Sequence, residues 1–91
     1  MQLTVTRTFA VAELGTIAFL GEESVALEFG SRHRVVVTRP DGESVEAVAS
    51  VECVRNDSSG DQFTALLFAS LALHDVVLGS SVLVLEEARD A

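Results

Sequence analysis

From Val45 to Cys53 every second residue is apolar: Val45, Ala47, Ala49, Val51 and Cys53, with Glu46, Val48, Ser50 and Glu52 between them. Side chains of an extended strand point alternately to opposite faces, so a period of two describes a strand with one face inward and the other in solvent. A helix would scatter the same apolar set around its circumference. Cys53 belongs to the inward set and reads as a core residue. A nucleophilic thiol would need an exposed, electropositive setting and a nearby base.

The same period recurs along the chain. Leu3, Val5, Phe9 and Val11 alternate with Thr4, Thr6, Ala10 and Ala12. Arg7 falls on that apolar face, which calls for a bend or bulge. Thr16 to Leu20 reads as a short strand between Gly15 and Gly21, and Ser24 to Phe29 as another with Val25, Leu27 and Phe29 on one side. Gly30 and Ser31 then turn the chain into the β-branched run Arg34 to Thr38. Arg39-Pro40-Asp41-Gly42-Glu43 is the clearest turn. Proline presets φ, aspartate can bond its own backbone, and glycine takes the positive φ that closes the hairpin.

Asn56 to Asp61 is a polar loop. Phe63 to Leu71 suits either a helix capped by Asp61 or a strand buried on both faces, and local pattern alone does not separate them. Val82 to Leu85 is a final strand, followed by a charged tail, Glu86 to Ala91. Short strands punctuated by glycine predict an all-β fold, a small closed or partly closed antiparallel β-barrel. Residues 1–91 form a single domain, with the core over about residues 3–85 and the tail at 86–91.

The order of these features resembles domain II of the translational GTPases of the elongation factor Tu type. Phe9-Ala10-Val11, then Ala12-Glu13-Leu14, then Gly15-Thr16-Ile17 is similar to that family's opening strand and its Gly-Thr-hydrophobic step. Gly21 through Val37, the Val51-Glu52 step, Gly60 with Phe63 to Leu71, and Asp75 to Gly79 followed by Val82-Leu83 resemble the later elements. The resemblance covers roughly residues 3–85. It implies that 63–71 is a strand and that only a short turn separates Leu71 from Gly79. In the family this barrel contacts the nucleotide domain and, in some members, the aminoacylated end of tRNA. The chain departs from the pattern where the second family glycine is displaced by one residue to Gly21. It also has no lysine for a phosphate-binding loop, so no GTPase machinery is implied. No tRNA-contacting position carries over, and the same barrel occurs in flavin enzymes and RNA-processing proteins, so fold alone does not give function.

Charge narrows the partners. Six arginines, no lysine and 14 acidic residues leave a net charge of −8, which disfavours general nucleic-acid binding. The one cationic cluster, Arg32, His33 and Arg34 with Arg39 nearby, offers Arg32, Arg34 and Arg39 as candidate anion contacts for a phosphate or carboxylate; its plainer reading is a solvated hairpin edge. With 48% hydrophobic residues the chain can build a core, and the surplus points either to a protein partner or homo-oligomer or to Val and Ala scattered over an ordinary surface. Val48, Leu66 and Phe68 lie out of phase with, or additional to, the inward stripe. They are candidate interface residues, the alternative being a doubly buried core.

No catalytic or metal site is expected, nor any cofactor. His74-Asp75 lacks the further ligands a metal needs and reads as a turn histidine beside an aspartate capping backbone groups. Ser58-Ser59-Gly60 is a loop, and Glu22-Glu23 an acidic turn. One cysteine excludes an internal disulfide, and Met1 to Arg7 lacks the basic start and apolar run of a secretory signal. No apolar run reaches the ~20 residues of a membrane helix. The expected location is cytoplasmic. The expected function is a non-enzymatic interaction module, and the rival is a barrel that binds a small ligand or an RNA end.

Overall fold

The computed structural model describes residues 2–21, 27–55 and 58–87. Within them lie six strands: β1 (Gln2–Val11), β2 (Gly15–Leu20), β3 (Arg32–Thr38), β4 (Ser44–Arg55), β5 (Gln62–Phe68) and β6 (Ser81–Glu87). All neighbours are antiparallel, and the order β1-β2-β5-β4-β3-β6 closes when β6 pairs back onto β1. The closing seam is short: β1 meets β6 over Gln2–Thr4 alone.

The inward stripe of each strand fills the cylinder. Leu3, Val5, Ala18, Val35, Val37, Ala49, Val51, Leu66, Phe68 and Val82 are all buried, and Val76 from the β5–β6 connection closes one end. Each fully buried aliphatic or phenyl side chain contributes about 1.5–3 kcal/mol. Leu66 and Phe68, candidates for an outer contact face, belong to this core at 0% exposure. An apolar run carries no phase of its own. The pairing of Val51 with Leu66 and of Thr16 with Phe68 turns both inward.

The irregularity expected at Arg7 is present: the β1–β2 register shifts between Val5 and Arg7. The extra residue reverses the alternation. Leu3 and Val5 point in, whereas Arg7 and Phe9 point out, and Phe9 is 44% exposed instead of sharing the inward stripe. The β3–β4 turn follows its sequence closely. The Gly42 amide donates to the Arg39 carbonyl at 2.9 Å, the Glu43 amide to Asp41 Oδ1 at 2.9 Å, and Gly42 has φ +93°.

Gly15 has a more exacting role. Its φ is +124°, and a Cβ there would lie 2.2 Å from the Phe68 carbonyl oxygen. That approach seats β2 against the end of β5, where the buried Thr16 hydroxyl donates to the Leu71 carbonyl at 2.9 Å. The Gly-Thr step thus joins two distant parts of the chain.

Residues 63–71 are not helical: β5 covers the first part and ends at Phe68. The Leu71–Gly79 connection contains a single 3₁₀ turn, Leu73–Asp75, and the Asp75 carboxylate accepts the Ala72 amide at 3.0 Å, the capping role expected of it. Three further expectations need correction. Leu27 is buried in a bend and Phe29 sits exposed in a turn, so neither belongs to a strand; Glu22, Glu23, Ser24 and Val25 lie outside the described residues. Cys53 is in phase with the inward stripe yet exposed, because β4 continues to Arg55 and its last two in-phase positions, Cys53 and Arg55, lie beyond the packed interior. Glu86 and Glu87 extend β6 rather than opening a tail, since Glu87 pairs with His33 across the ladder; positions 88–91 lie outside the described residues.

Candidate interaction face

The outward residues of β1, β2, β5 and β4 form rows across the strands. One row runs Arg7, Phe19, Ala65, Glu52, with Ala65 itself covered by its neighbours and fully buried, and the next runs Phe9, Ile17, Leu67, Ser50. Val54 stands opposite Phe63 on the far side of the first row. Antiparallel twist brings diagonal neighbours together, and large side chains reach across the diagonal. Phe9 and Phe19 meet edge to face at 5.7 Å between ring centroids, and Phe19 meets Phe63 the same way at 6.5 Å. The Arg7 guanidinium lies 5.0 Å from the centre of the Phe9 ring. Edge-to-face geometry aligns the positive rim of one ring with the negative face of the next, and the cation sits over an electron-rich face.

Phe9 and Phe63 remain 44% and 45% exposed, while Phe19 between them is half-buried. The three rings are therefore an ordered aromatic strip that water still reaches, flanked by Ile17, Leu67 and Val54. Sequence reasoning missed it. Alternation places Phe9 on the inward stripe, and Phe19 and Phe63 become its neighbours only through the β1–β2–β5 pairing. The one available signal was Arg7, whose place on an apolar face marks the bulge that turns Phe9 outward.

The opposite wall is built differently. Arg34 on β3 donates from Nη1 to Glu86 Oε1 at 2.7 Å and from Nε to Glu46 Oε1 at 3.1 Å, and its Nη2 also pairs with Glu46. These two carboxylates, hydrogen bonding to Glu46 first, raise the guanidinium pKa above its ordinary value. Val48, the remaining interface candidate, is exposed on β4 directly across from Arg34. Arg39 lies in the hairpin turn, 3.5 Å from Asp41 and 3.4 Å from the His74 carbonyl. Arg32 and Arg34 share the outer side of β3, whereas Arg39 follows the opposite end of that strand, about 20 Å from Arg32 along the chain. The three candidate anion contacts do not converge on one site.

His74 is exposed, with Nε2 3.5 Å from Asp75 Oδ1. Among the described residues no three His, Cys, Asp or Glu side chains gather as metal ligands, and no helix is long and apolar enough to cross a membrane. Comparison with protein-family models, with curated proteins and with solved structures finds no match.

Proposed function

We propose that this barrel is a protein-interaction module that works by binding rather than by catalysis, through the outer face of β1, β2 and β5. The observation that carries this reading is the ordered and solvent-exposed strip Phe9–Phe19–Phe63 with Arg7 at its border. Aromatic and arginine side chains are the types that anchor protein contacts, because they combine large apolar area with few rotatable bonds or a versatile donor set. An exposed, unpaired Cys53 accords with a reducing cytoplasmic setting.

A reading in which Arg32, Arg34 and Arg39 grip a phosphate or an RNA end has less support. Arg34 is already held by two carboxylates, and Arg39 stands apart beside Asp41. Kinship with the translation-factor barrel is proposed on the Gly15-Thr16 step and the order of elements alone, since barrel closure is common to many families.

The test places a photo-activatable phenylalanine analogue at Val54, beside Phe63, and at Asp41 in the hairpin turn as a control. In cells that normally make the protein, irradiation is expected to give discrete protein adducts from position 54 and none from position 41. No adduct from position 54 would end this proposal.

A further inference from the structure

We infer that this barrel takes up an extended segment of another protein as an added strand, along the edge of β1 from Arg7 to Val11 that faces away from β2. The segment carries an acidic and a large apolar residue two positions apart. This deepens the proposed interaction role and rests on it, since β1 borders the aromatic face.

The opening lies in the short seam. β1 pairs with β6 only from Gln2 to Thr4. Val5 makes the last backbone bonds across it: its amide donates to the Ser80 carbonyl at 2.9 Å, and its carbonyl accepts the Gly79 amide at 3.0 Å. From Arg7 to Val11 the strand pairs with β2 in unbroken register, Arg7 with Phe19 through Val11 with Gly15. On its other side this stretch makes no backbone hydrogen bond to any described residue. The 3₁₀ turn at Leu73–Asp75 comes near β1 but keeps its backbone bonds within residues 72–76. A strand turns its peptide groups alternately to its two edges, so this edge presents donors and acceptors at the spacing an extended chain matches. Phe9 and Ala10 point to opposite faces and are both exposed, so water reaches each side of the strand here.

The other side of the seam is built against such addition. Beyond Leu83, β6 likewise has no described partner on its β1 side. Its register on β3 is broken between His33 and Val35, and it ends in Glu86 and Glu87, with Glu86 held by Arg34. Bulges and charges blunt a sheet edge. The β1 edge has no bulge beyond Arg7, and Arg7 is its one charge, without an ion pair among the described residues. An added strand sets its outward side chains beside Arg7 and Phe9, two positions apart. A carboxylate there answers the guanidinium, and a large apolar side chain covers the exposed Phe9 ring. β1 has no acidic residue between Gln2 and Val11, so a second copy adding its own β1 leaves Arg7 unanswered. A separate acidic and apolar segment meets both demands.

The experiment pans the full chain against a phage-displayed library of random linear peptides about eight residues long, within the usual range of strands. Selected sequences are expected to share an acidic and a large apolar residue two apart. The strongest of them, made as a synthetic peptide and added to isotope-labelled chain, should slow amide hydrogen exchange at Arg7–Val11 and leave Val84–Glu87 unchanged. N-methylation of one alternate set of peptide amides should weaken binding about tenfold or more, the loss of two hydrogen bonds. Methylation of the other set should be tolerated, because only one edge of the added strand meets β1. Arg7→Glu should weaken the same peptide and favour a counterpart with lysine in place of its acid. If that reversal unfolds the barrel, the methylated peptides decide on the unaltered chain. A selection that yields no binder overturns the inference. So do peptides that protect another edge, or that bind equally whichever set of amides is methylated. Exchange at Arg7–Val11 that slows with chain concentration alone assigns the edge to a second copy and overturns it too. If position 54 still gives adducts, the interaction face survives each of these failures.

Discussion

Arg7 and Arg34 are both exposed arginines on the outer wall of one barrel, and their surroundings differ in kind. Arg34 is flanked by Glu46 on β4 and Glu86 on β6, so its charge is answered within the chain. Arg7 lies against the Phe9 ring at the border of an apolar strip. The β3–β4–β6 wall is thus electrostatically self-contained around Arg34, while the β1–β2–β5 wall presents aromatic area and a cation to whatever meets it. Counting positive charges in sequence could not separate them. What an arginine can offer a partner depends on what its neighbours across the ladder have already taken.

If the aromatic strip serves contact rather than folding, its rings should be dispensable for stability while those beneath them are not. The largest contrast lies on a single strand. Phe68→Ala removes a ring from the centre of the core and should cost about 4 kcal/mol by denaturant titration. Phe63→Ala, on the outer side of β5, should cost less than about 1 kcal/mol. Equal losses at the two positions would break the distinction between wall and interior. Next comes the join beneath the aromatic wall. Gly15→Ala combines a positive φ with a backbone clash and should cost about 3 kcal/mol. Gly42→Ala also has a positive φ but open space around it, and should cost only about 1 kcal/mol.

Thr16→Val keeps the shape of its side chain but leaves the Leu71 carbonyl without its buried donor. Thermal unfolding should report a loss of about 1–2 kcal/mol. The smallest effect belongs to the opposite wall. Arg34→Gln should shift the unfolding midpoint least of all, and the remaining difference should vanish in high salt, because exposed ion pairs are weak and screened. A large, salt-resistant loss at Arg34 would mean that its two carboxylates help to hold the barrel closed.

Legibility in the sequence followed the range of the interaction. The β3–β4 turn was readable because proline, aspartate and glycine act within a few residues of themselves, and the Asp41 carboxylate takes the Glu43 amide as expected. The β4 stripe was readable because Ala47, Ala49 and Val51 alternate with polar residues. The bulge at Arg7 was readable as a break in phase, but not the direction in which it turned Phe9. The phase of Leu66 and Phe68 was hidden in an unbroken apolar run, and the exposure of Cys53 depended on how far β4 outran the interior.

Alternation, turn chemistry and apolar content, all properties of neighbours in the chain, determined an all-β fold with a defined inward stripe. Ring closure, the register of β1 on β2 and β2 on β5, and hence the assembly of Phe9, Phe19 and Phe63 into one strip, were decided by tertiary structure. Pairing joins residues far apart in sequence, and a slip of one position exchanges the two faces of a strand. Local composition cannot carry that information.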